Sequence, residues 1–530
     1  MAISNGRRLL LSSVCQPFGA KHGDSFGVSA DGAHQIMWAQ GIFRIFSTTT
    51  QWGIDFIAEN LEIPATTLHY PSMARFIKEI KRGYDYIGIA FIHATKHKMI
   101  PMIKAIRQYS PKSKVILGGY GTAFPDDDLK PYADYICRGE GVEFMRKLLG
   151  EPIDKPIHQP TVTSKSYLFS LPFPIEGYIF GGLGCPAGCD FCATSHYFGR
   201  KHILFLPTGK TIIDAIKRLR KAYPRMRNFY LSDEDFFVNR NRAIQFLEEI
   251  RKSDLPAISL RGYGSVKSLS PFSASELVEI GFDLLWIGYE GKRAGYEKMK
   301  GRPYKELFDD LRNHGISILA SMIIGFDYQT PEIIEEEFQE LMSLRPSLCQ
   351  FLIYGPAYGT PSYHRLKEQG RFLPDMNEPY KYDGFWLGFK HPHINSEEMS
   401  KIQLSLYQRE FEILGPSIFR IIENQLNGYL ALKDHSLLRI REKAKEYRKI
   451  ARKGLALISA SKRYMNPKVN DWLDDLRERI ISGTGDINAR EHLIAKGVPL
   501  LIKLTALKLR HNIGIQPRFT KRIYRMQRFS

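Results

Sequence analysis

The sequence is poor in cysteine, with six in 530 residues. So small a set excludes a disulfide framework and points to a reducing, cytoplasmic setting. Long apolar runs are also missing. The longest, Ile316 to Phe326, is punctuated like a buried strand and falls short of the ~20 residues a membrane span needs. There is no fixed-period repeat and no low-complexity tract, which excludes solenoids and disordered polymers. The opening MAISNGRRLLLSSVC has no small-residue cleavage site after its short apolar run, so it reads as a first strand rather than a signal peptide. Excess charge is nearly absent from residues 1–430, where 51 Lys and Arg face 47 Asp and Glu. Residues 431–530 hold 24 against 9, which accounts for +15 of the total +19.

What is present suggests about three domains at ~100–200 residues each. Residues 1–150 alternate apolar strands (Arg8–Val14, Thr66–His69, Tyr86–Phe91, Lys114–Leu117, Tyr135–Cys137) with amphipathic helices, the pattern of a parallel, doubly wound, flavodoxin-like (Rossmann-like) sheet. Residues 151–176 are proline-rich and read as a linker. From 177 to 375 the alternation resumes, with strands at Gly177–Phe180, Asn228–Leu231, Ala257–Leu260, Leu284–Tyr289, Ile318–Ile324 and Leu352–Tyr354. Six such units predict a partial (β/α)6 TIM-type barrel with its site at the carboxyl ends of the strands. Residues 376–530 read as a mainly helical, basic region.

Three of the six cysteines fall within eight residues, in Gly184-Cys185-Pro186-Ala187-Gly188-Cys189-Asp190-Phe191-Cys192, directly after the strand GYIFGGL. Three thiolates on a short loop can hold three irons of a [4Fe–4S] cubane, leaving the fourth open to an incoming ligand. The competing reading is zinc, with His196 completing a Cys3His set. Cys15, Cys137 and Cys349 stand alone and read as small buried apolar residues.

C-x3-C-x2-C with an aromatic before the last cysteine, after a first barrel strand, resembles the radical S-adenosylmethionine (SAM) superfamily. The resemblance implies that Cys185, Cys189 and Cys192 are the cluster ligands and catalytic centre. The amino and carboxylate groups of SAM would chelate the open iron, and Phe191 would pack near the adenine. Reductive cleavage of SAM would then yield a 5′-deoxyadenosyl radical. Later strand ends match in order. Ser232, Asp233 and Glu234 lie in an Asp-Asp-x-Phe-like segment with Glu234 replacing the second Asp, Glu290 ends the fourth strand, and Gly325 ends the fifth. All five would help to bind SAM.

Residues 114–144 resemble the cobalamin-binding domain that precedes many such barrels. Gly118 and Gly119 end a strand where a missing side chain lets a large flat ligand approach, and Gly139 and Glu140 repeat that logic one strand later. The Asp-x-His-x-x-Gly motif that supplies cobalt with a histidine elsewhere is absent; His22, His34, His93 and His97 do not sit in it. The nearest look-alikes are the hopanoid C-3 methylase and magnesium-protoporphyrin cyclase groups.

The resemblance therefore implies an enzyme using a [4Fe–4S] cluster, SAM and cobalamin, reduced by a flavodoxin or ferredoxin. Its activity would be C-methylation at an sp3 carbon of a small hydrophobic or lipid substrate. An oxidative cyclase of the same architecture and a non-catalytic corrinoid or metal sensor are the alternatives. A tRNA methylthiotransferase would need additional N-terminal cysteines and an RNA-binding barrel, which the sequence lacks. The basic C-terminal stretch around Pro499–Arg510 suggests a helix at an anionic membrane surface or a solvated packed helix. Nothing in it reads as a nucleic-acid platform.

Overall fold

A computed structural model describes residues 7–18, 38–47, 51–169, 171–374, 381, 383–511 and 518–525. The first sheet contains the parallel strands β1 (Leu9–Ser13), β2 (Ala65–His69), β3 (Tyr86–Ala90), β4 (Lys114–Gly118) and β5 (Tyr135–Ile136). They lie in the order β2-β1-β3-β4-β5. Helices α1 (Trp52–Glu59), α2 (Met73–Ile80), α3 (Lys96–Tyr109) and α4 (Gly141–Leu149) cover it. Every residue of β1 and β2 is buried, because a sheet covered on both faces leaves no solvated side. Leu10, Ile87 and Leu117 fill one core, while Leu9, Leu11 and Ile116 fill the other. The strand order changes direction between β1 and β3, which opens a crevice at the carboxyl ends.

The second sheet runs in sequence order through β6 (Glu176–Phe180), β7 (Asn228–Ser232), β8 (Ser259–Tyr263), β9 (Phe282–Glu290), β10 (Ser317–Ile324) and β11 (Leu348–Ile353), all parallel. The short helix α5 (Ala193–Tyr197) follows the cysteine loop. Outer helices are α6 (Gly209–Ala222), α7 (Arg240–Lys252), α8 (Ala274–Ile280), α9 (Tyr304–Asn313), α10 (Pro331–Ser343) and α11 (Pro361–Glu368). This is the expected six-unit partial barrel. The apolar run from Ile316 becomes β10, whose eight residues are all buried. The third strand lies later than expected, because Arg261 and Tyr263 alternate with Leu260 and Gly262 and disguise its end. The sixth begins earlier than expected, at Leu348.

Beyond the barrel come α12 (Ser396–Leu414), α13 (Ser417–Leu432), α14 (Leu438–Ser461), α15 (Pro467–Thr484) and α16 (Ala489–Arg510). Helix α14 closes the barrel floor. The buried Lys443 Nζ donates to the carbonyls of Ile258 (2.6 Å) and Gly281 (3.2 Å), and pairs with Asp283 at 3.0 Å.

The C-terminal region is not wholly helical. Strand β12 (Thr520–Tyr524) returns to the first sheet and pairs antiparallel with β2. Lys521 pairs with Glu79 at 2.7 Å, and Arg522 with the buried Asp55 at 2.9 Å. The residues expected to form a linker also take part, since Thr163–Ser164 adds an antiparallel edge to β6. Among the described residues no helix is long and apolar enough to cross a membrane.

Candidate active site

The carboxyl ends of the two sheets face each other, and the cysteine loop lies at that junction. Strands Gly182–Leu183 and Ile203–Leu204 pair antiparallel and pinch the base of the loop. Gly184 has φ +78°, and a Cβ there would meet the Lys201 carbonyl at 2.3 Å, so only glycine fits. Ser195 Oγ donates to the Cys185 carbonyl (2.7 Å) and accepts from the Gly188 N–H (3.0 Å), while the Cys192 N–H donates to the Cys189 carbonyl (3.0 Å). Local polar bonds therefore hold all three cysteines on one turn.

Burial pushes all three thiols up, Cys185 to about 11; neighbouring thiols add to the effect at Cys185 and Cys189, and Glu234 adds to it at Cys192. Thiols that resist ionising together suit a partner bringing positive charge, as cluster iron does. Among the described residues no group of three or more His, Cys, Asp or Glu side chains is placed to hold a metal ion. His196 lies 3.1 Å from the Cys189 carbonyl through Nε2. A cubane spreads its thiolates over separate irons, so the donor set fits that group. Cys15 and Cys137 are buried thiols pushed up to about 12, as inert core residues.

One side of the loop is aromatic. The Phe191 ring lies edge-on to Tyr296 at 5.2 Å and to Phe326 and Tyr354, each at 6.2 Å. These rings come from beyond β9, β10 and β11, so Phe191 meets the turn that Phe326 forms after β10. The Gly325 N–H donates to Gln329 Oε1 at 2.6 Å. Glu290 is buried beside this wall with φ +59°, a left-handed backbone that costs a non-glycine residue ~1–2 kcal/mol and is retained here at a strand end. It forms an ion pair with Lys298, whose Nζ lies 5.5 Å from the centre of the Phe191 ring. Burial opposes the Lys298 charge, but Glu290 and the cysteines Cys189 and Cys192 outweigh it. Sequence reasoning missed Lys298, because a lone lysine in a loop gives no motif. It also missed Asp190, which receives the Tyr296 hydroxyl at 2.7 Å and the Arg365 guanidinium at 3.1 Å.

On the other side lies a cavity of about 460 Å³. Gly118, Gly119, Gly139 and Glu140 line it from the first sheet and Ser232 from β7, with Tyr120 and Tyr197 between them. Gly119 has φ +85°, and a Cβ would strike the Phe91 carbonyl at 2.6 Å. The loop between β4 and the following segment thus runs close against its neighbour. Gly139 has open space where a Cβ would stand, so a flat ligand could come close to its backbone. Glu140 caps α4, accepting the Val142 (2.7 Å) and Glu143 (2.6 Å) N–H groups. The Tyr197 hydroxyl on α5 shares a 2.6 Å bond with Thr122, and so ties the cysteine loop to the glycine turn.

The three acidic-motif residues part company. Ser232 faces the cavity. Asp233 is buried in the barrel wall, bonded to Arg242 at 2.6 Å and His202 at 2.9 Å. Glu234 receives the Tyr120 hydroxyl at 3.4 Å, and burial together with Asp233 pushes its carboxyl up to about 7.

No family model matches the chain. It is 23% identical over 342 residues to bacteriochlorophyllide d C-8(2)-methyltransferase of Chlorobaculum tepidum, spanning 58% of this chain and 73% of the relative. It is 23% identical over 380 residues to hopanoid C-2 methylase of Rhodopseudomonas palustris, spanning 67% and 68%. The anaerobic magnesium-protoporphyrin IX monomethyl ester cyclase of Cereibacter sphaeroides is 24% identical over 347 residues, spanning 57% and 56%. Among solved structures, TsrM of Kitasatospora setae, a radical SAM methyltransferase with cobalamin and a [4Fe–4S] cluster bound, superposes with a TM-score of 0.53. That match has 13% identity and spans 84% of this chain and 99% of TsrM. The recognition made from the cysteine loop is thus borne out: the chain is similar in sequence to curated methyltransferases and an anaerobic cyclase, and in fold to a radical SAM methyltransferase with cobalamin and a [4Fe–4S] cluster bound.

Proposed function

We propose that the chain is a cobalamin-using radical SAM enzyme that methylates an sp3 carbon of a hydrophobic substrate. The observation that supports this most is the single cavity lined by both Ser232 and the Gly118–Gly119 turn, directly beside the cysteine loop. The cluster and SAM at the cysteine loop would supply a carbon-centred radical, and cobalamin in the cavity a transferable methyl group.

The protein's own part is placement. Cys185, Cys189 and Cys192 would hold the cluster, and the Phe191, Tyr296, Phe326 and Tyr354 rings would form a dry wall for the adenosine side of SAM. Lys298, held by Glu290, would put a cation where the SAM carboxylate is expected. Ser232 and Glu234 would offer polar contacts from the opposite rim, and the glycine turns would admit the corrin face.

Anaerobic turnover with methyl-labelled SAM, a flavodoxin or chemical reductant and lipid extracts tests the reading. Label in an extracted hydrophobic product supports it. The cyclase among the relatives favours a second reading, oxidative ring closure. That reading gives 5′-deoxyadenosine with no label in the product, while absence of 5′-deoxyadenosine sinks both.

A further inference from the structure

Helix α16 keeps two different faces. Val498, Ile502 and Thr505 are buried on one side, where Val498 and Ile502 join the C-terminal helical core with Leu455, Ile458 and Phe169. The opposite side carries Leu493, Leu500, Leu504 and Leu507, which are 71%, 62%, 46% and 52% exposed. At 3.6 residues per turn these four fall on one stripe, and Lys496, Lys503 and Arg510 border it along one edge. Lys508 borders the other edge. A single exposed leucine is ordinary, but four aligned along one helix are not.

We propose that this face docks on an anionic lipid bilayer, with the leucines in the acyl–headgroup boundary and the lysines and arginine beside the phosphates. Three observations select this occupant. No helix among the described residues is long and apolar enough to cross a membrane, so any contact of this stripe with a bilayer would run along the surface. The stripe is flanked by cations alone, which matches the negative surface potential of such a leaflet. The surrounding residues 431–530 carry +15 net charge, which would repel a second copy of the same surface. The inference stands apart from the proposed chemistry, because it concerns where the protein sits rather than what it methylates.

The test is co-sedimentation of the full chain with vesicles of three parts phosphatidylcholine to one part phosphatidylglycerol, and with vesicles of phosphatidylcholine alone. Binding to the anionic vesicles, weakened by added salt and by phosphatidylcholine alone, is expected. The L500S/L504S/L507S variant should lower the partition at least about tenfold, since three buried leucines would be lost. The K503E/R510E variant should lower it chiefly on anionic vesicles. All these side chains are exposed, so the melting curves should match the parent and separate lost docking from misfolding. The proposal is overturned if the parent stays in the supernatant, or if the triple serine variant binds like the parent. It is also overturned if sedimentation shows a dimer that the serine variant dissociates while neither binds vesicles.

Discussion

Replacing Asp233 by alanine would leave the Arg242 guanidinium, which is wholly buried, without its carboxylate. Stranding a buried charge costs about 3–5 kcal/mol, so D233A should unfold at a much lower urea concentration. Iron content after anaerobic reconstitution should be unchanged in whatever fraction stays folded, because the cysteine loop keeps its own bonds. Lys298 and Glu290 respond differently, because their effect is mutual. K298M should cost about 3 kcal/mol by leaving the buried Glu290 carboxyl without its Lys298 partner, and E290Q/K298M should regain most of it. Urea midpoints of the two variants check this, and a double variant as unstable as the single one would refute it. These side chains also mark what one sequence can reveal. The three cysteines proposed to hold the cluster stand out in the sequence because their spacing is local. Asp233 was misleading because its partners, 31 and 9 residues away, lie on other elements. Glu140 was read beside a ligand turn, although its carboxylate is used to cap α4.

At the scale of elements, the two sheets could be read from their apolar runs, since strands buried on both faces need little else. Strand β12 could not, because TKRIY is short and charged and gains its partners only in the folded chain. Its anchor is Asp55. Burial alone would raise that carboxyl, but bonds from His69 and Thr67 and the charges of His69 and Arg522 outweigh it and hold it below the usual carboxylate range. A group depressed in this way stabilises the fold above the unfolded carboxylate's range, and the benefit is lost as pH falls through the folded value. R522A should therefore cost about 2 kcal/mol at neutral pH and move the acid-unfolding midpoint to higher pH. Acid titration followed by circular dichroism measures the shift, and an unmoved midpoint would mean that Arg522 does not hold Asp55.

For the molecule as a whole, the first sheet is not built from the first 150 residues alone. A fragment spanning residues 7–160 should leave β2 as an unpaired edge and self-associate, as open strand edges do. Adding a peptide of residues 518–525 should suppress that association in gel filtration, whereas a monomeric fragment without the peptide would show that β12 is dispensable. The pairing also bears on the order of biosynthesis. Arg522 lies 467 residues beyond Asp55, so the sheet facing the cavity stays unfinished while the barrel is being made. A nascent chain on the ribosome thus completes its second sheet before its first, so the two sheets are finished in the reverse of the order in which their strands begin to be made.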